Sequence, residues 1–206
     1  FAVFSLPVFL FVKQRKNISD SETGKSFRQG IGRIVQSFKE VRKYKQVVIL
    51  LVARLFYNDG LVTIFAFGGI YAAGTFGFTF NEIMIFGIVI NVAAGIGAFA
   101  MGYLDDRLGG KKTIQLSNAA LALAVFLAVI AHTKSMFWIA GMLIGLFAGP
   151  NQSASRSLLG RFVPPKKENQ FFGFFAFSGK LTAFLGPLLL GIFTQVFESQ
   201  RAGVFV

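Results

Sequence analysis

Apolar residues fill long blocks of this chain, and polar residues gather in the short gaps between them. The blocks fall at about residues 47–73, 83–104, 113–131, 136–158 and 170–197, and a further one opens at 203. Each complete block is long enough to cross a bilayer core, which takes about twenty helical residues. The pattern predicts an all-α, polytopic membrane helix bundle with five complete spans between partial first and last helices. Residues 1–12 are apolar but too few to span, and Lys13, Arg15 and Lys16 follow them. A leader peptide would carry its cations first, so 1–12 read as the end of a transmembrane helix. The chain opens on Phe1 inside an apolar run and stops at Val206 as another starts, and reads as an internal fragment of a larger membrane protein.

The gaps have their own patterns. Phe27, Ile31, Ile34, Val35, Phe38 and Val41 recur at three- and four-residue spacing, with cations on the other side. This predicts a basic amphipathic helix within 26–45, lying against anionic headgroups, in a linker over 13–46. Gly30 and Gly32 weaken that helix, and a solvated linker is the alternative. In the block 83–104, Asn91 stands near the small residues Ala93, Ala94, Gly95, Gly97 and Ala98, which let helices approach closely. Asn91 and Asn118 are expected to hydrogen-bond between helices. Pro150 predicts a kinked or unwound stretch at 150–153, and Gly186-Pro187 a break in the last span.

Composition agrees with the pattern. Hydrophobic residues make up 54% of the chain, with 27 Phe, more than a soluble domain can bury. There is no Cys and a single His, His132, which leaves little for thiolate catalysis, a metal site or a catalytic triad. No enzymatic activity and no cofactor are expected. The net charge of +12 is concentrated: ten cations and three anions lie between Lys13 and Lys45. Beside membrane spans, such residues set topology, so nucleic acid is not the expected partner. Lys and Arg number ten, three and four in the alternate connections 13–46, 105–112 and 156–169, against none, one and one in the others. The linker and the connections 105–112 and 159–169 are therefore expected on the cytoplasmic side.

Gly102, Asp106, Arg107, Gly109 and Lys111 form a Gly-x-x-x-Asp-Arg-x-Gly-x-Lys pattern in one of those connections. It resembles the loop signature of the major facilitator superfamily of secondary transporters. Gly110 stands where that family usually has a cation, and Asp105 where a small residue is common. The order of spans resembles the C-terminal half of a twelve-helix facilitator, residues 47–206 forming its bundle. Phe56-Tyr57-Asn58-Asp59-Gly60 and Gly149-Pro150-Asn151-Gln152-Ser153 with Ser155-Arg156 are similar to the vacuole-effluxer-related branch, which has bacterial and fungal vacuolar members. The resemblance implies transport of a small solute, such as an amino acid or another anionic or zwitterionic metabolite, by alternating access. It also implies the N-terminal half as partner, and a bacterial plasma membrane or a vacuolar membrane as location. A lipid scramblase or a membrane scaffold is the alternative function. Asp106 and Arg107 are expected to cap a helix end and meet a cation across the interface between halves, as a gate latch.

Charge inside the spans supplies the candidate site. A charged group in hydrocarbon costs at least ~2.5–3.5 kcal/mol and needs a partner or a wet cavity. Asp59 lies ~20 Å along its helix from Gln46, and Lys180 ~15 Å from Gln170, depths that suit an ion pair. Arg54, Tyr57, Asn58, Asp59, Asn151, Gln152 and Lys180 are the candidate residues for solute or ion coupling, with Asp59 the candidate proton acceptor. Packing locks between helices are the competing role for these residues, and the expected role of Arg156.

Overall fold

The computed structural model describes residues 40–164 and 167–205. The chain divides into Phe1–Glu40 and Val41–Val206, and the described residues lie almost wholly in the second unit. The predicted helix end at 1–12 and all but the last residues of the 13–46 linker lie outside the described residues.

The second unit is a helix bundle: α1 (Lys45–Phe76), α2 (Phe80–Leu108), α3 (Gly110–Ile130), α4 (Lys134–Phe162), α5 (Glu168–Leu181), α6 (Leu185–Val196) and α7 (Gln200–Phe205). Four segments are long and apolar enough to cross a membrane: α1, α2, α3 and the stretch Glu168–Val196 that contains α5 and α6. This is an integral membrane protein. At 29 residues α4 also has the length, but its C-terminal half is polar. It packs chiefly between α2 and α3. A helix that meets protein rather than lipid on two sides needs less hydrophobicity.

The connections are short and chemically specified. Gly77 ends α1 at φ 63°, and its N–H caps the carbonyls of Ala72 and Ala73. Only glycine adopts that left-handed conformation cheaply. Thr79 and Glu82 then form a capping box that opens α2. Glu82 also pairs with Lys134 at 2.9 Å, tying the start of α2 to the start of α4. The connection after α2 is tighter than the sequence suggests. Instead of a loop over 102–112, α2 continues to Leu108 and α3 begins at Gly110. Gly109 alone makes the turn, at φ 82°.

Three apolar clusters stack along the bundle. Val47, Leu50, Leu159 and Phe171 form one end, Leu61, Leu121 and Ile144 the middle, and Phe78, Phe86 and Phe137 the other end. The tightest seam joins α2 and α4. Gly141, Gly145 and Gly149 follow at four-residue spacing on α4, facing Phe86, Ile90 and Ala94 of α2.

Two expectations about proline need correction. Pro150 is buried inside α4, which runs through it without unwinding. Proline lacks the N–H that would bond the carbonyl four residues back, Leu146. That carbonyl lies against Gly97 of α2, so the neighbouring helix covers the acceptor that Pro150 leaves free. The last long span does break, but at 182–184, before Gly186-Pro187. Pro187 falls in the first turn of α6, where its missing N–H costs nothing.

Candidate functional site

The polar residues in the bundle fall into three groups. The first surrounds the break between α5 and α6, where α1 supplies the missing partners. Asn58 Nδ2 donates to the Gly179 carbonyl at 3.0 Å, and Thr182 Oγ1 donates to the Leu55 carbonyl at 2.9 Å. The backbone N–H of Gly186, in the first turn of α6, interacts with the Asp59 carboxylate. A Cβ on Gly186 would overlap the Thr63 hydroxyl and sit 3.2 Å from Asp59 Oδ2. Asp59 Oδ1 is buried and has no hydrogen-bond partner among the described residues. A carboxylate therefore sits at the positive end of a half-helix with half its accepting capacity unused.

Asp59 also lines a cavity of about 1090 Å³, where Thr63, Asn91 and Thr182 supply further polar groups among apolar walls. Asn91 does not bridge helices as expected: its Nδ2 donates to Gly87 of its own helix at 2.8 Å.

The second group crosses the bundle. Tyr57 Oη and Ser155 Oγ share a hydrogen bond of 2.7 Å between α1 and α4. Ser155 Oγ lies 2.6 Å from the Asn151 carbonyl, which accepts from it. Asn151 Nδ2 donates to Asn118 Oδ1 at 2.6 Å, extending the network to α3 as an interhelical bond from Asn118. Asn151 is fully buried. Beside this network Arg54 lies over the Phe175 ring, 3.8 Å from its centroid, and donates to Asn58 at 3.2 Å.

The third group sits where α2 turns into α3. The buried carboxylate here is Asp105, not Asp106. Asp105 Oδ2 accepts from Ser157 at 2.9 Å and from Arg161 at 3.2 Å. The Asp105 side chain is 10% exposed and that of Asp106 81%, the latter 4.0 Å from Arg161. Arg107 turns back to Tyr103 on its own helix. The sequence marked Asp105 as the unusual residue of the motif, and that was the available signal. Asp105→Asn is expected to destabilise the full-length protein by about 1–3 kcal/mol, the cost of disrupting a buried charged hydrogen bond. Asp106→Asn should change it by less than about 0.5 kcal/mol. Thermal unfolding in detergent checks both, and the reverse ranking would make Asp106 the stabilising acid of this turn.

The expected Asp59–Lys180 ion pair is absent among the described residues. Lys180 is exposed on α5, on the other side of the break from the Gly186 N–H that meets Asp59. Arg156 is exposed and forms no ion pair among the described residues, whereas Arg161 does. With Gln152, Arg156 lines a second hollow of about 500 Å³. Asp59 alone of the candidate residues borders the large cavity.

The family model for the Atg22-like vacuole effluxers matches residues 1–206. The chain belongs to that family. Among relatives of this Atg22-like chain is the uncharacterized MFS-type transporter YxiO of Bacillus subtilis, 29% identical over 205 residues, covering 98% of this chain and 47% of the relative. Autophagy-related protein 22 of Kluyveromyces lactis is 27% identical over 200 residues, covering 90% of this chain and 40% of the relative. Its namesake in Cryptococcus neoformans var. neoformans serotype D is 25% identical over 189 residues, covering 84% and 34%. The chain thus spans about half, or less, of the length of these curated relatives. No solved structure matches it significantly. An effluxer family and an MFS-type relative are not enzymes, in keeping with the residue inventory.

Proposed function

We propose that this Atg22-like chain is the C-terminal half of a secondary active transporter, which moves a small solute by alternating access. The carrying observation is the break at 182–184, held by Asn58, Thr182 and Asp59, with the Asp59 carboxylate at the start of α6 and beside the cavity. Discontinuous helices that bring half-helix ends and ionisable groups to mid-depth are how secondary carriers build their sites. Family membership and the MFS-type relative support the same reading.

The N-terminal half of the same protein completes the cavity. The solute is an amino acid or another anionic or zwitterionic metabolite, and Asp59 is the proton-coupling group. The proposed membrane is a bacterial plasma membrane, with the vacuolar membrane as the alternative. The cation-rich turns at 105–112 and 159–169 then face the cytoplasm, and the segment 26–45 lies on anionic headgroups.

Reconstitution of the full-length protein in liposomes tests the proposal. Radiolabelled amino acids should accumulate when a proton gradient is imposed and stop doing so when an ionophore collapses it. Flipping of fluorescent phospholipids without any gradient, and no solute accumulation, would replace the carrier with a scramblase.

A further inference from the structure

We propose that Arg54 and Arg156 form an oxyanion-binding subsite at the α1–α4 seam, which takes the carboxylate or phosphate of the solute. The assignment to a solute rests on the transport reading; the binding chemistry rests on the seam. The Tyr57–Ser155 bond fixes the two helices there at 2.7 Å. Arg54 lies one turn before Tyr57 on α1, and Arg156 follows Ser155 on α4.

Neither arginine is in the ion pairs seen among the described residues, which include Glu82 with Lys134 and Asp105 and Asp106 with Arg161. Arg54 lies ~13 Å along α1 from Lys45. A cation at that depth is costly unless an anion or water meets it.

Arg54 is also held ready. Its guanidinium is stacked on Phe175 at 3.8 Å, and Asn58 takes one of its five N–H donors. Gly179 gives it room, since a Cβ there would come within 3.0 Å of Nη1. Nε is buried and bonded to nothing. Arg156, by contrast, is exposed and borders the smaller hollow with Gln152 and Ser153. One stacked fork and one exposed guanidinium make a receptor for a planar or tetrahedral oxyanion, which guanidinium binds through paired hydrogen bonds. Lys180 has no part in it.

The test is a thermal-shift titration of delipidated full-length protein in detergent. The probes are succinate, inorganic phosphate and dihexanoyl phosphatidylglycerol, with chloride at matched ionic strength as control. Succinate or phosphate should raise the melting temperature saturably, and chloride should not. Arg54→Gln and Arg156→Gln should each weaken that binding about tenfold or more. Arg54→Lys should fall between, because it keeps the charge and loses the fork, and it serves where Arg54→Gln does not fold. Equal shifts in wild type and both glutamine variants, no shift with any probe, or a shift with the lipid alone would each overturn the subsite. Flux in liposomes is read separately. Gradient-driven amino-acid uptake untouched by either arginine variant would overturn the subsite and leave the carrier standing. Saturable succinate binding lost in both variants supports the subsite even where no solute is transported.

Discussion

Asp59→Asn is expected to reduce gradient-driven accumulation by the full-length protein to background while leaving counterflow exchange of the same solute in place. The asparagine is nearly isosteric and its amide oxygen still accepts from the Gly186 N–H, so the junction between α1 and α6 keeps its shape. What disappears is a group that gains and loses a proton. In the native protein the two protonation states differ in their attraction to the start of α6, because a helix N-terminus favours an anion and is indifferent to a neutral acid. That difference is the physical means by which a proton gradient can bias a helix packed against the cavity. The second carboxylate oxygen, buried and unpaired, leaves an atom on which a proton can be placed. Two measurements are needed, since a collapsed fold would also stop accumulation. Thermal unfolding should move little, and exchange at equal concentrations on both sides should persist. Accumulation at the wild-type rate would remove Asp59 from coupling, and loss of exchange as well would make it a structural group.

The spans could be read from the sequence because hydrocarbon admits so few polar groups. Blocks of apolar residue and clusters of cation mark depth directly, and among the described residues helices coincide with the apolar blocks from 47 onward. What depth does not reveal is direction around the helix axis. Asp59 and Lys180 lie at comparable depths, yet the break at 182–184 puts the Gly186 N–H, not the ammonium, against the carboxylate. Adjacent residues were confused for the same reason. Asp105 and Asp106 differ by one position, about 100° around α2, and of the two Asp105 is the one hydrogen-bonded to Ser157 and Arg161, with Asp106 exposed 4.0 Å from Arg161. The motif pointed to this turn but not to which of its two acids is buried. The continuity of α4 through Pro150 was hidden because the compensation comes from another helix, at Gly97. Within one segment a proline reads as a break. The polar chain from Tyr57 through Ser155 and Asn151 to Asn118 was legible in its members but not in its order, which is set by contacts between residues far apart in sequence.

The largest loss of stability is expected from the glycines between α2 and α4. A Cβ at Gly145 would sit 2.6 Å from the Ile90 carbonyl oxygen, and one at Gly149 would overlap the Ala94 carbonyl. Both obstacles are backbone, so no rotamer change relieves them, and the helices must move apart. In a bilayer that contact is not replaced by a hydrophobic driving force, since lipid is as apolar as the side chains that would meet it. Gly145→Ala and Gly149→Ala should each cost about 1–3 kcal/mol or more, the range for overpacked interiors. Gly149→Leu should yield no folded protein. Gly160 lies on the same helix with nothing within 4 Å of its would-be Cβ. Gly160→Ala should therefore be neutral or stabilising by up to about 1 kcal/mol, the helix-propensity gain. Thermal unfolding of the full-length protein in detergent compares the three alanine variants directly. If Gly160→Ala destabilised as much as Gly149→Ala, the effect would be a general intolerance of change in α4, and the close seam with α2 would not be its cause. The seam matters beyond stability, because Asn151, Ser155 and Arg156 follow these glycines on α4. Separating α4 from α2 would move all three relative to Tyr57 and Arg54, so a glycine variant that survives folding should also lose the succinate-dependent stabilisation.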